Sequence, residues 1–513
     1  MEYIVTQDEM KQYDETTIKR FGMPAMTLME RAALSVILHV QCTDRERILV
    51  LCGSGNNGGD GFCVARLLLL AGKRVQVLFT GNREHLSESC KAQWEIYERY
   101  ARICGQAEPV VTTWQDASYD IIIDSIFGVG LNRDITGKAA EIIQAANACD
   151  AYRIAVDIPS GIDADTGQVH GCALRADETV TFAFVKRGLL LYPGAIYAGK
   201  VHCSQIGITK ESFLGNYPRG FSYQKEDLCR LPVRRPDGNK GSFGKIGFFT
   251  GSGEIGGAAI LSAMAAYRMG SGYVRVFTHD NNKTALMERV TEAVISCYTD
   301  DLSKQERLEM MKKTADFADV IAVGAGIGTD EWAMLMVQKL LMADEKPIVV
   351  DADACNIIAE DDALKSWLIE TAGKRRYPIV MTPHLAEFAR LSGTDIKEIQ
   401  ADFPKAAIEF ATRFGVILCA KDATTLVTDG EKIYFNRSGN DAMATAGSGD
   451  VLFGMTASLL GQKMTAFEGA CLSVYIHGLC GDAAKEKTNA RYVTASDLVL
   501  ELAGVLQVPI EHK

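Results

Sequence analysis

No two of the 14 cysteines stand in a C-x-x-C spacing, so the chain shows neither a redox dithiol nor a disulfide framework. Scattered through apolar runs, as at Cys52, Cys63 and Cys419, they read as reduced, buried thiols of a cytoplasmic protein. Long apolar stretches are also missing: the best, Val64 to Ala71, is broken by Arg66 and falls far short of the roughly 20 residues that cross a bilayer. The opening segment, MEYIVTQDEMKQYDETTIKRFG, mixes acids and bases and has no apolar core, so no signal peptide is expected. Basic residues are outnumbered, 54 Lys and Arg against 65 Asp and Glu, and the net charge of −11 argues against non-specific binding to nucleic acid or a membrane surface. There is no heptad, solenoid period or low-complexity tract.

What remains is a large, ordinary globular composition, 47% hydrophobic and 23% charged. At 513 residues the natural expectation is two domains. Residues 48–61, ILVLCGSGNNGGDG, run a β-branched stretch straight into a glycine-rich turn, the way a backbone prepares to wrap a phosphate or sugar. A second strand-to-glycine junction occurs at 246–257, IGFFTGSGEIGG. A third glycine-rich helix start, NDAMATAGSGD at 440–450, has no strand run directly before it. One chain therefore carries at least two nucleotide-sized sites.

Strands are expected at 48–52, 75–79, 120–124, 153–157, 179–184 and 200–205, with helices at 59–71 and 86–104. This alternation implies a parallel sheet covered on both faces. Ligands in such sheets sit at the carboxyl ends of strands, where loops 53–61, 124–134 and 157–161 would share one face. Between about 207 and 243 the periodicity fails, giving the best linker candidate. Beyond it, strands are expected at 245–250, 273–277, 319–323, 347–351, 378–382 and 415–420. A hairpin turning at Asp429-Gly430 and helices near 446–460 and 464–486 complete the pattern.

Gly53 to Gly58 and Gly251 to Gly256 both match G-x-G-x-x-G, so a dinucleotide-dependent oxidoreductase has to be weighed. A Rossmann site also wants an acid at the end of the next strand. After the first loop that strand ends in Gly81-Asn82-Arg83, and after the second in His279-Asp280, so only the second keeps such an acid. Asn56, Asn57 and Asp60 also add oxygens that a plain pyrophosphate turn does not need. Asn57, Asp124 and Ser160 are placed to meet above the strand ends as oxygen ligands for an alkali or alkaline-earth cation. The alternative, that Asp124 and Ser160 merely cap their loops, stays open.

GSGNNGGDG, DSIFGVGLNRDITG and AVDIPSGIDADTG, in this order over most of residues 1–215, resemble the epimerase domain of NAD(P)H-hydrate repair enzymes. The stretch NKGSFGKIGFFTGSGEIGGAAILSAMAAYRMGSGYV, then VGAGIG, TPHLAEFARL, KDATTLV and NDAMATAGSGDVLFG, resembles their ADP- or ATP-dependent dehydratase domain. The resemblance covers almost the whole chain. It implies a Rossmann-like doubly wound domain at 1–215 and a ribokinase-like α/β domain at 225–513. Together they would interconvert the R and S hydrates of NADH and NADPH and dehydrate the S form at the expense of ADP or ATP.

For the first domain the resemblance places the substrate against Asn56, Asn57, Gly58, Gly59 and Asp60. It continues the site over Gly128, Val129, Gly130, Leu131, Asn132, Arg133 and Asp134, and ends at Asp157. Potassium would lie at Asn57, Asp124 and Ser160. Asp157 is the candidate catalytic carboxylate. Lys186 is a second candidate, a solvated strand-end lysine being the other reading. For the second domain it places the hydrate at Ala258, Gly326, His384 and Asp450, with a structural cap as the alternative for His384. Lys421, Asp422, Ala423, Thr424 and Thr425 form one nucleotide loop. Asn440, Thr445, Ala446, Gly447, Ser448 and Gly449 form the other. Asp450 would take the hydroxyl proton, unless it is only a helix acid favoured by the dipole, and magnesium would bridge the donor phosphates.

Three places depart from the family's usual pattern: Asp441, Ala442 and Ala446 replace a proline and two glycines, Lys421-Asp422 stands for a Lys-Gly pair, and Gly324-Ala325-Gly326 lacks a proline. An extra acid and methyl groups beside phosphates would be expected to weaken nucleotide binding or shift the ATP/ADP preference. Two other functions stay in view, a ribokinase-like kinase for a vitamin precursor and a non-catalytic nucleotide-sensing module. Self-association into a homo-oligomer is left open.

Overall fold

The computed structural model describes residues 1–41, 47–115, 118–342 and 346–507. The chain divides into two compact units, one of Glu2–Phe221 and one of Ser222–Lys513 together with Met1.

In the first unit seven parallel strands form one sheet. Its order is Val110–Val111, Arg74–Phe79, Arg47–Cys52, Ile121–Ser125, Tyr152–Val156, Glu178–Phe182, Lys200–Ser204. The chain thus runs outward from Arg47–Cys52 in one direction, then returns to its other side, pairing Leu51 with Asp124 and Cys52 with Ser125. RILVLC and IIIDS are apolar without alternation because both faces are covered. Ile48, Val50 and Cys52 join the core on one face while Leu49 and Leu51 join that on the other, as the strand pleat requires.

The second unit holds a parallel run ordered Val294–Tyr298, Tyr273–His279, Lys245–Phe249, Val320–Val323, Ile348–Val350, Ile379–Met381, Ile417–Ala420. The expected hairpin follows as an antiparallel pair, Leu426–Thr428 with Ile433–Phe435. Helix Ser448–Gly461 is buried from Val451 to Gly461, which explains its lack of a polar face. It lies against helix Gly257–Arg268, with Ser458 Oγ donating to the Ala266 carbonyl at 3.1 Å.

The segment at 207–243 is less of a linker than its composition implies. It holds short turns at Lys210–Phe213, Lys225–Arg230 and Lys240–Phe243. Phe213 is wholly buried against Tyr13 and Phe184, and that burial of aromatic surface anchors it. The thirteen described cysteines are free thiols, but Cys104 and Cys229 are exposed, against the expectation of uniform burial; Cys42 lies outside the described residues. No described helix is long and apolar enough to cross a membrane.

Candidate active sites

In the first unit the strand order reverses between Arg47–Cys52 and Ile121–Ser125, and a doubly wound sheet leaves its crevice at that switch point. The glycines that follow are needed for close approach. A Cβ on Gly53 would strike the Ile126 carbonyl, and one on Gly58 the Gly53 carbonyl. A cavity of about 590 Å³ opens there, lined among others by Asn56, Asn57, Asp60, Gly128 to Arg133 and Asp157. Gly58 and Gly59 are buried inside helix Asn56–Leu70, and Gly59 faces Met29 and Cys90. Asp134 is largely exposed, 3.9 Å from His170.

Asp157 follows strand Tyr152–Val156 with φ +67°, a left-handed conformation costly for a side-chain-bearing residue. Its Oδ1 accepts from Lys186 Nζ at 2.5 Å, Thr181 Oγ1 at 3.1 Å and Phe182 N at 3.2 Å. Lys186 is not the solvated lysine considered above: its side chain is 1% exposed, and it also donates to Thr181 Oγ1 and the Phe182 carbonyl. Asp14, from helix Gln7–Lys19, joins the same cavity. Burial, opposed by Lys186 and reinforced by Asp157, pushes its carboxyl up to about 6. Burial beside Asp157 and Asp14 pushes Asp60 well up too. Nothing in the residues around Asp14 separates it from the other acids of an amphipathic helix; only the tertiary fold brings it here.

Asn57, Asp124 and Ser160 do come together. Asp124 is fully buried and accepts from Ser160 Oγ at 2.6 Å, Ser160 N at 2.7 Å and Ile126 N at 3.2 Å. Asn57 Nδ2 donates to the Phe127 carbonyl at 3.1 Å, while its Oδ1 is buried without a hydrogen-bond partner. The loop-capping bonds are therefore present, and beside them stands an orphaned acceptor aimed at no donor. Burial raises Asp124 to about 6, against the opposing pull of Ser160 and Ile126.

In the second unit Lys421 and His384 meet through a parallel bridge, Lys421 N donating to the Pro383 carbonyl at 2.9 Å. Lys421 Nζ pairs with Asp351 Oδ1 at 2.8 Å, and Thr382 Oγ1 donates to the same oxygen at 2.7 Å. A Cβ on Gly449 would lie 3.3 Å from Lys421 Nζ, so the two expected nucleotide loops adjoin. Thr424 is buried, Thr425 is half-buried, and Asp422 and Ala423 are exposed. Asn440 donates to Asp482 Oδ1 at 2.8 Å and caps the turn at Ala442; Thr445 and Gly447 are half-buried and Ala446 is exposed. Ser448 Oγ lies 3.3 Å from His477 Nε2.

Asp450 is in the first turn of helix Ser448–Gly461. The helix dipole alone would depress its pKa, but burial and the nearby Asp351 push it up to about 7, with Lys421 opposing. Asp351 and Asp353 were the signal missed in VVDADA. They flank Ala352, held at φ +48°, where strand Ile348–Val350 ends. His384 does cap helix Leu385–Ser392, its Nδ1 accepting from Ala386 N and Glu387 N. That leaves Nε2 protonated beside Glu387 Oε1, 3.2 Å away, with the ring half exposed. Gly326 adopts φ +67° against Ile255 and Ala258. The extra acid Asp441 is paired with Lys485 at 2.5 Å, which offsets its charge.

Two α/β units, each gathering buried acids and a lysine at the carboxyl ends of parallel strands, define a protein with two active centres. Residues 246–503 match the family model described as NAD(P)H-hydrate dehydratase, and residues 25–188 match that of the YjeF-related protein N-terminus. The chain is 35% identical to a bifunctional NAD(P)H-hydrate repair enzyme of Thermofilum pendens, over 97% of this chain and 95% of that one. It is 34% identical to a namesake in Moorella thermoacetica, over 98% and 97%. A Bacillus subtilis structure described as ADP/ATP-dependent NAD(P)H-hydrate dehydratase co-crystallized with ATP/Mg2+ superposes with TM-score 0.47 and 27% identity, over 55% of this chain and 96% of that one. The chain belongs to the bifunctional NAD(P)H-hydrate repair enzymes.

Proposed function

We propose that residues 1–215 epimerise the R and S hydrates of NADH and NADPH, and that residues 225–513 dehydrate the S form using ADP or ATP. The full-length match to bifunctional relatives carries this reading. The hydrate is a hemiaminal, with a hydroxyl on the ring carbon beside nitrogen. Breaking and re-forming that C–O bond from the other face exchanges the epimers, and the departing hydroxyl needs a proton. Asp157, oriented by Lys186, Thr181 and the Phe182 amide, is assigned to this proton traffic. Asp14, raised to about 6, is assigned the role of proton reservoir.

Potassium is assigned to Asn57, Asp124 and Ser160. The unpartnered, buried Asn57 Oδ1 beside the Asp124 carboxylate fits a hard monovalent cation. When bound it would supply positive charge near the substrate's pyrophosphate, while Asn56 and the Gly128–Asp134 loop position the rest.

In the second unit Asp450 is assigned as the base that removes the hydrate's hydroxyl proton, allowing phosphorylation and then loss of phosphate with the oxygen. Amides of Gly447 and Gly449 are assigned to the transferring group, the Ser448 amide being donated to the Thr445 carbonyl at 3.3 Å, and Lys421, held by Asp351, adds charge to it. Magnesium would supply charge neutralisation on the donor phosphates. The free thiols support a cytoplasmic setting, where NADH and NADPH are abundant.

The test is recovery of the near-ultraviolet absorbance of NADH from a mixed R/S hydrate with potassium, magnesium and either nucleotide. Wild type should recover all of it, Asp157→Ala only the S share quickly, and Asp450→Ala none. Absence of nucleotide-dependent recovery by the wild type would discard the dehydratase assignment.

A further inference from the structure

Helix Ala25–Gln41 borders the cavity with its first half, through Ala25, Leu28, Met29 and Ala32. Seven residues past Ala32, roughly 10 Å further along the axis, His39 reaches the opposite end of the sheet. There it meets Glu178, the first residue of strand Glu178–Phe182, and His202 on the neighbouring strand Lys200–Ser204. Glu178 pairs with Lys200 and Val180 with His202, so Glu178 and His202 are diagonal neighbours on one face of the sheet.

The two rings address different oxygens of one carboxylate. His39 Nδ1 lies 3.4 Å from Glu178 Oε2, and His202 Nε2 lies 3.2 Å from Glu178 Oε1. The ring centroids are 4.4 Å apart, and one donor atom from each residue falls within 4.8 Å of the others. Charge-assisted hydrogen bonds close to about 2.8 Å. Donors around a tetrahedral ion with bonds of about 2.0–2.1 Å stand roughly 3.3 Å apart; each imidazole nitrogen already stands at such a distance from one carboxylate oxygen, and the three donor atoms need close only from within 4.8 Å of one another. Burial and His202 hold His39 below the ordinary imidazole value, favouring the neutral, ligating form, with Glu178 opposing. Lys200 is the nearby cation. All three side chains are partly exposed, so an ion has a way in.

We propose that His39, Glu178 and His202 bind a divalent transition-metal ion of the zinc type, clipping the end of helix Ala25–Gln41 to the sheet. Two imidazoles and one carboxylate suit such an ion and leave a fourth position for water. Potassium and magnesium favour all-oxygen sets, so neither competes well here.

The full-length protein, stripped with chelator and kept in potassium and magnesium, would be titrated with CoCl2 and then ZnCl2. We expect visible cobalt absorption saturating at one equivalent per chain, its displacement by zinc, and a zinc-dependent rise in the Tm of the first unit. His39→Asn and His202→Asn should each abolish the band and the Tm rise, losing more than the roughly 10–100-fold that a supporting residue costs. Epimerase activity and far-ultraviolet circular dichroism report whether those variants fold. Should either fail to fold, Glu178→Gln, which keeps shape and hydrogen bonding, replaces it with the same expected loss. No saturable cobalt band in the wild type, or an unchanged one in the folded variants, overturns the proposal.

Discussion

Lys186 Nζ lies 2.5 Å from Asp157 Oδ1, and only 1% of the lysine side chain reaches solvent. Removing the ammonium leaves the carboxylate without its counter-charge, the Thr181 hydroxyl oxygen without this donor, and the Phe182 carbonyl with only the Phe184 amide, at 2.7 Å. Lys186→Met should therefore lower the stability of the first unit by about 3 kcal/mol and abolish epimerisation while dehydration of S hydrate continues. Asp157→Asn combined with Lys186→Met should recover part of that stability, since no lone charge is left, without recovering epimerisation. Calorimetry of the first unit's transition and a chromatographic R/S assay check both; wild-type epimerisation by Lys186→Met would end the role given to this pair.

Asp124 couples the first site to pH and to potassium. Its folded pKa, about 6, exceeds that of an unfolded aspartate, about 4, so the protonated form is favoured on folding. The stability this group contributes is complete at low pH and declines as pH rises from about 4 to about 6. A bound cation requires the carboxylate and offsets that decline. Potassium should then raise the first unit's Tm more near about pH 7.5 than near about pH 5, and Asp124→Asn should remove the difference. Equal potassium shifts at both pH values would place the ion elsewhere.

Much of this architecture is legible from local pattern. The run ILVLC before GSGNNGG fixes a strand, a tight turn and a helix start within fourteen residues, and Asp124 and Asp157 are visible because each ends an apolar run. The burial of Lys186 and the position of Asp14 are not. Burial of Lys186 depends on the Thr181 hydroxyl and Phe182 carbonyl folding back around it, and Asp14 reaches the cavity from a helix far away in sequence. The charge of Asp441 reads as a liability for phosphate binding until helix Ala466–Lys487 sets Lys485 beside it.

Gly326 offers a test of the hydrate site in the second unit that leaves every polar group in place. At φ +67° an added Cβ would lie 2.7 Å from Ile255 Cγ2 and 3.2 Å from Ala258 Cβ. Gly326→Ala should cost about 1–3 kcal/mol in stability and, by displacing Ala258, raise KM for the hydrate several-fold with KM for the nucleotide nearly unchanged. Steady-state kinetics in each substrate separate the two. A change confined to the nucleotide would detach Gly326 from the hydrate.

Asp450 should reveal its environment through pH. With the carboxyl at about 7, the basic form grows across neutrality, and kcat/KM for dehydration should rise with pH along a limb of that apparent pKa. Asp351 raises it and Lys421 lowers it, so Asp351→Asn, which removes one charge and frees the other, should move the limb to lower pH. Stability follows the opposite course. The folded unit keeps a proton that the unfolded chain releases above about pH 4, so the cost of holding Asp450 accrues from about pH 4 to about pH 7. The displacement of about three units sets a ceiling near 4 kcal/mol, and partial exposure brings it to about 2. Asp450→Asn should therefore be inactive yet more stable than wild type above neutrality and equally stable near about pH 4. Urea denaturation across that range decides it: a variant no more stable than wild type at high pH would show that the carboxylate is well accommodated as an anion, leaving the helix dipole as the stronger influence.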